Sequence, residues 1–240
     1  MNIKEFSNQF DILVNSYRRF RDFDNKEPLD TVEFNEYEKS YYLTKSQDEI
    51  VISLYNGKNP FEDSFEKTEE LRRYLSNLVA EAELSPTLSS NGLPLGLGSK
   101  SEFFTLPEDL WFITYEAVIL YEGKCPGHNT LNVFPVTQDE YHRVKKNPFR
   151  GTNDRRALRL DLADGVVEIV SDYPVEYYYV RYLKNTTPII LEDLPDDLTI
   201  KGESKATECT LHQALHERIL ERAVETALQS KGYNIKNENR

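Results

Sequence analysis

The sequence predicts an α+β protein: a helical bundle built from N-terminal helices and one C-terminal helix, with an antiparallel β-sheet or barrel-like domain between them. Three observations carry this. Apolar residues step by three or four through the N-terminal third and again near the C-terminus. Between these regions the apolar residues gather into short aromatic and branched runs separated by Pro, Gly and Asp. The chain also holds fifteen Tyr and twelve Phe against one Met and one Trp, a balance that suits pleated, half-buried surfaces.

Taken in order, Ile3, Phe6, Phe10, Leu13, Tyr17 and Phe20 align on one face of a first helix. Arg18, Arg19 and Arg21 fall at its negative end. Residues 22–30 contain Pro28 and read as a loop. A second helix is expected over Glu33–Leu43. A third is expected to start at Thr44, whose spacing to Gln47 is that of a capping box, and to stop at Gly57. A further helix is expected over Glu66–Glu83, with Leu71, Leu75, Leu78, Val79 and Ala82 on its buried stripe. Ser85–Lys100, SPTLSSNGLPLGLGSK, breaks the pattern and reads as a loop or arm. Its Leu88, Leu93, Leu95 and Leu97 are candidates for ordering against a partner.

After Pro107 the pattern becomes β. Glu102–Leu106 is strand-like and Leu110–Tyr121 suits a central strand. Thr130–Val136 is a further strand, followed by a short helix over Thr137–Lys146. Ala157–Leu162 and Val166–Val170 flank Asp164-Gly165, a strong hairpin signal. Val175–Leu183 and Pro188–Leu191 complete an expected antiparallel meander. Thr210–Lys231 is the last helix, with Gly232 placed to cap it. The expected division is a helical domain from 1–84 with 208–232, an arm at 85–101, a β domain at 102–207 and a polar tail at 233–240.

The charge is unevenly spread. His142–Arg159, HRVKKNPFRGTNDRRALR, carries seven Lys/Arg and one Asp, a net +6. The whole chain is −12, which leaves −18 on the remainder. That balance argues against general coating of nucleic acid. A basic island in an acidic chain is placed to touch an acidic face on a neighbouring copy or a phosphate backbone. The candidate contact residues are Arg143, Lys145, Lys146, Arg150, Arg155, Arg156 and Arg159. The planar fork of Arg favours carboxylates on a neighbouring copy. A solvated basic face is the bland alternative.

No catalytic residue, metal site or cofactor is expected. Cys209, His212 and His216 have helical ligand spacing but lack a further ligand. GLPLGLGSKS at Gly92–Ser101 has Ser99 where a phosphate-binding loop needs Gly, and Pro94 removes a donor. The acidic pairs at Glu192-Asp193 and Asp196-Asp197 suit a solvated turn. Cys125 and Cys209 are too few for a disulfide framework and fit a reducing compartment. No run reaches the roughly 20 apolar residues of a membrane span. Met1–Phe20 is amphipathic and charged, so a cytoplasmic origin is expected.

Several blocks together carry a resemblance. They are EFSNQFDILVNSY, EYEKSYYLTKSQDEIV, LPEDLWFITYEAV, DEYHRVKKNPFRGTNDRRALRLDL, YYVRYLKNTTPIILEDLP and LHQALHERILERAVETALQSKGY. The set resembles structural proteins of crAss-like bacteriophages, above all the ring proteins that stack below the portal and join head to short tail. The resemblance implies a virion component of the neck or tail region, assembled in the host cytoplasm as a homo-oligomeric ring of twelve copies. It implies the portal, other ring or tail proteins and passing double-stranded DNA as partners, and supplies no catalytic residue. It is similar in role to tail tubular adaptors, which combine a helical bundle with a β domain. The rivals are a DNA-binding accessory protein using the 142–159 segment and a metal hydrolase built on His212 and His216.

Overall fold

A computed structural model describes residues 1–22, 33–57, 68–87, 101–121, 129–195 and 197–233, with side chains 18–22 left out. The fold is α+β, as the sequence predicts, and divides into two compact units. The first comprises Met1–Leu78 and Thr186–Arg240, and the second Val79–Asn185. These boundaries differ from those expected from sequence. Residues 79–84 fall in the β unit, and residues from 186 onward in the helical one.

In the helical unit, α1 (Ile3–Asp22) buries Phe6, Phe10 and Val14. The two helices expected between 33 and 57 are one, α2 (Glu36–Asn56). The working capping box is Asn35 with Glu38, not Thr44 with Gln47. Gly57, at φ 72°, ends the helix in the left-handed region as anticipated. α3 covers only Glu69–Tyr74, followed by a single 3₁₀ turn at Ser76–Leu78. After a 3₁₀ turn at Gln213–Leu215 comes α5 (His216–Ser230). Its end is a Schellman motif: Gly232 donates to Gln229 and Tyr233 to Leu228. Ile219, Leu220, Ala223, Val224, Ala227 and Leu228 make the buried stripe of α5, which packs on α1 and α2.

Thr44 and Gln47 have another task. With Ser40 they form a polar line along α2 that holds the extended segment after Thr186. Ser40 Oγ accepts from Leu191 N at 3.0 Å. Thr44 Oγ1 accepts from Ile189 N at 3.0 Å and donates to Ile189 O at 3.3 Å. Gln47 donates to Thr187 O at 2.7 Å. Pro188–Leu191, expected as a strand, is therefore extended chain fastened to helix side chains. Its one β contact is the isolated Ile190–Thr207 bridge. Thr44→Val keeps the shape but leaves a buried N–H and C=O unpaired. It is expected to cost about 1–3 kcal/mol in urea unfolding, whereas an unchanged midpoint would contradict this clamp.

In the second unit, β1 (Val79–Leu84), β2 (Ser101–Thr105), β3 (Leu110–Leu120), β4 (Thr130–Pro135), β5 (Arg156–Asp161), β6 (Val166–Val170) and β7 (Val175–Lys184) form one sheet. The strand order is β1-β7-β3-β4-β5-β6-β2. The β5–β6 turn has positive φ at both Asp164 (56°) and Gly165 (69°), the signature of the hairpin read from Asp-Gly. One expectation is corrected: β4 and β5 run parallel, so the sheet is mixed. The short helix α4 (Gln138–Lys145) makes the crossover between them. The Thr137 side chain does not cap α4, contrary to its capping-box spacing with Glu140.

The sheet curls until its ends meet. Thr87, just past β1, bridges Phe103 on β2, its N–H donating to Phe103 O at 2.7 Å. The enclosed core contains Phe104, Val118, Leu120, Leu131, Val133, Ala157, Val167, Ile169, Tyr178 and Val180.

Candidate functional site

The basic island is built on the β4–α4–β5 crossover. Tyr141 and Val144 anchor α4 by packing on Leu158, Leu160 and Val170. This turns Arg143 and Lys145 outward. Arg143 pairs with Glu140 on the same helix, an exposed contact of little energetic weight. Lys145 lies 5.5 Å from the centroid of the Tyr141 ring. Among the described residues, the side chains of Lys146, Arg150 and Arg155 have no ion-pair partner.

The loop after α4 is held firmly for a surface segment. Asn147 O accepts from Gly151 N at 2.7 Å, and its side chain accepts from Phe149 N at 2.8 Å. Asn153 Oδ1 accepts from Arg155 N at 2.9 Å. Thr152 donates to Asp172 at 2.8 Å. Arg156 stacks 4.5 Å above the Phe134 ring and donates to Phe149 O. The outcome is that Phe149 is 84% exposed at the apex, between Lys146 and Arg150. A rigid loop that presents a bare aromatic ring among cations has the chemistry of a protein-contact anchor.

Gly151 explains part of that rigidity. A Cβ there would stand 2.8 Å from Lys145 O and 2.9 Å from Asn147 O, both backbone atoms. Gly151→Ala must therefore displace the turn. It is expected to lower stability by about 1–3 kcal/mol, read by thermal unfolding. A variant as stable as the parent would show that the loop is looser than its hydrogen bonds indicate.

Arg159 is not with the rest. β5 points Ala157 and Arg159 into the sheet interior, where Arg159 Nη1 meets Glu116 Oε2 at 2.7 Å. The two side chains are 11% and 10% exposed. Tyr178 donates to the same carboxylate oxygen at 2.6 Å. Asp161 lies 2.9 Å from Arg159 Nε, a charge contact without hydrogen-bond alignment. Burial pushes the Glu116 carboxyl above the ordinary carboxylate range, against the pull of Arg159. Burial, then the Glu116 charge, pushes the Tyr178 phenol up, so it stays a donor. The surface island thus consists of Arg143, Lys145, Lys146, Arg150 and Arg155, with Arg156 half buried. Glu116 was missed in the sequence reading. Its signal is a lone carboxylate inside the apolar run LWFITYEAVIL.

A second exposed feature lies on the outer face of the same unit. Register places Glu81 beside Arg181 and Glu83 beside Tyr179, with Tyr115 and Ala117 across β7. Tyr115 and Tyr177 are exposed, and Tyr115 meets Tyr179 edge-on at 6.1 Å. Burial, then the nearby Glu81 carboxylate, pushes the Tyr179 phenol up. Arg181 approaches Glu81 at 3.7 Å.

The remaining motifs have hydrogen-bond partners within the fold where they are described. Cys209 donates to Gln47 at 3.2 Å, and burial pushes its thiol up to about 11. His212 Nδ1 accepts from Ala214 N. His216 is buried with Nε2 3.1 Å from Leu211 O, and burial lowers its pKa. Among the described residues no three His, Cys, Asp or Glu gather to hold a metal ion. Asp193 accepts from Ala206 N at 2.7 Å. Leu88, Leu93, Leu95 and Leu97 lie outside the described residues, as do Asp196 and residues 92–100 of the glycine-rich segment. No helix among the described residues is long and apolar enough to cross a membrane.

Comparison with known proteins agrees with the resemblance read from sequence. The chain is similar to ring protein 3 of Bacteroides phage crAss001, 44% identical over 234 residues and covering 96% of each chain. It is also similar to ring protein 4/5 of that phage, 30% identical over 236 residues, or 95% of this chain and 92% of the relative. The family model described as phage tail ring protein 3/4 matches residues 1–239. With nearly the whole length matched, the chain belongs to the phage tail ring protein 3/4 family of crAss-like phages.

Proposed function

We propose that this chain is a structural subunit of a ring in the head-to-tail connector of a short-tailed phage particle. The family match over residues 1–239 carries the reading. Copies associate side by side into a closed ring. One rim meets the portal or a neighbouring ring, and the other meets further tail components. Double-stranded DNA passes through the lumen without being read. The −18 charge outside the basic island supports that last point. An acidic wall offers few phosphate contacts, each of which would add salt-sensitive affinity and resist sliding. The role is mechanical, with no reaction to catalyse.

The competing reading is a DNA-binding accessory protein using the exposed cations of residues 143–155. Phe149 favours a protein contact, because an apolar apex gains nothing from a phosphate backbone. Negative-stain averages of the purified full chain test the proposal. Closed rings are expected, together with weak retardation of duplex DNA. A persistent monomer that binds duplex with a steep salt dependence would favour the rival.

A further inference from the structure

Each copy carries a net charge of −12, so identical copies repel at long range. A lateral contact between them therefore needs local patches of opposite sign. A ring also needs heterologous contacts, in which two different patches on opposite sides of one subunit meet. The second unit carries two patches of different chemistry. Around the curled sheet, β1 is three strands from β4 in one direction and three from β5 in the other once Thr87 and Phe103 close the circle, and β7 is two strands from β4. The β4–β5 crossover carries Lys146, Phe149, Arg150 and Arg155. β1 and β7 carry Glu81, Glu83, Tyr177 and Tyr179, with the Arg181 guanidinium 3.7 Å from Glu81.

We infer that the Phe149 loop of one copy seats on the Glu81–Tyr179 face of the next copy. This rests on the ring reading above and names the surfaces that would build it. The chemistry is matched residue class by residue class. Phe149, 84% exposed, gains the aromatic floor of Tyr177 and Tyr179, flanked by Tyr115. Arg150 and Arg155 gain the carboxylates of Glu83 and Glu81, in the forked geometry that guanidinium groups favour. The loop is already held by Asn147, Gly151 and Arg156, so little ordering opposes the contact.

The test is a charge swap in the full chain, with assembly followed by mass photometry and negative-stain imaging. Arg150→Glu with Arg155→Glu should weaken self-association about tenfold or more, as should Glu81→Lys with Glu83→Lys. All four substitutions in one chain restore sign complementarity and should restore rings. In a mixture of the two single-face variants every contact between unlike chains is complementary and every contact between like chains is repulsive, so rings of alternating variants should form. A further variant, Phe149→Ser, should abolish rings while leaving the circular-dichroism melt of the monomer in place. Rings formed normally by both single-face variants would overturn this contact while leaving the ring reading intact. Failure of the four-fold swap to restore assembly would overturn it as well. A wild-type chain that stays monomeric at every concentration would instead remove the ring reading, and this contact with it. Loop variants that assemble normally but lose binding to duplex DNA would assign the loop to phosphate contact.

Discussion

Arg159→Met is expected to lose about 3–5 kcal/mol of unfolding free energy in urea titration. The substitution keeps most of the apolar volume and removes the cation facing Glu116 at 2.7 Å. What remains is a carboxylate inside the β unit with only Tyr178 to hydrogen-bond it. The charge cannot stay uncompensated there, so the carboxyl of the variant moves further above the ordinary range by burial alone. The sign of the pH effect follows. A carboxyl whose folded-state pKa is raised binds its proton more tightly when folded, so its stabilising contribution is complete below the unfolded value of about 4.3. That contribution is lost as pH rises through the folded-state pKa. The variant should therefore become steadily less stable across mildly acidic pH. Adding Glu116→Leu to Arg159→Met should recover most of the loss, because an apolar pair of similar volume replaces a buried ion pair at little cost. A double variant as unstable as the single would mean that the Arg159 stem, not the charge, matters.

Phe104→Ala is expected to cost a similar amount, about 3–5 kcal/mol, by a different route. Phe104 is fully buried on β2, its ring 5.4 Å from that of Tyr178. Truncation removes apolar surface from the core and leaves a void that the curled sheet cannot readily collapse. β2 is also the strand that meets Thr87, so the loss falls where the sheet closes. Thermal unfolding of the purified chain reads this directly, and a shift of only a degree or two would contradict the core assignment. Unlike Arg159→Met, this variant should show no new pH dependence, since no charge is uncovered.

These two positions also mark how far the sequence could be read. Local signals were reliable where the chain obeys them by itself. Asp164-Gly165 gave its hairpin because both residues accept positive φ. Gly232 gave the end of α5 because the Schellman motif needs that residue type. Tertiary pairing overrode local preference elsewhere. VAEAEL at Val79–Leu84 has good helix formers, yet its alternation puts Ala80, Ala82 and Leu84 against the core, and β7 offers a free edge. Thr44 and Gln47 read as a capping box, and Ser40 carried no local signal. Their partners are main-chain groups well over a hundred residues away, which no local pattern reveals. The parallel β4–β5 pair was legible in principle, since a helix between two strands is the usual device for such a crossover.

The site was legible as a charge pattern and not as a geometry. The seven cations of 142–159 appear as one island in the sequence, but strand alternation on β5 turns Arg159 inward while Arg155 and Arg150 stay outside. Phe149 was passed over among the charges that surround it. Its meaning comes from the turn bonds at Asn147 and Gly151, which hold it clear of the surface. The family resemblance rested on long blocks of sequence, and the match over residues 1–239 agrees with it.

The most direct measurement is a cryo-electron microscopic reconstruction of the mature particle, with copy number checked by quantitative mass spectrometry. The account predicts many symmetry-related copies around the DNA channel below the portal, each Phe149 loop against the Glu81–Tyr179 face of its neighbour. A particle that lacks this chain, or holds it as a single copy away from the channel, would contradict the account at its root.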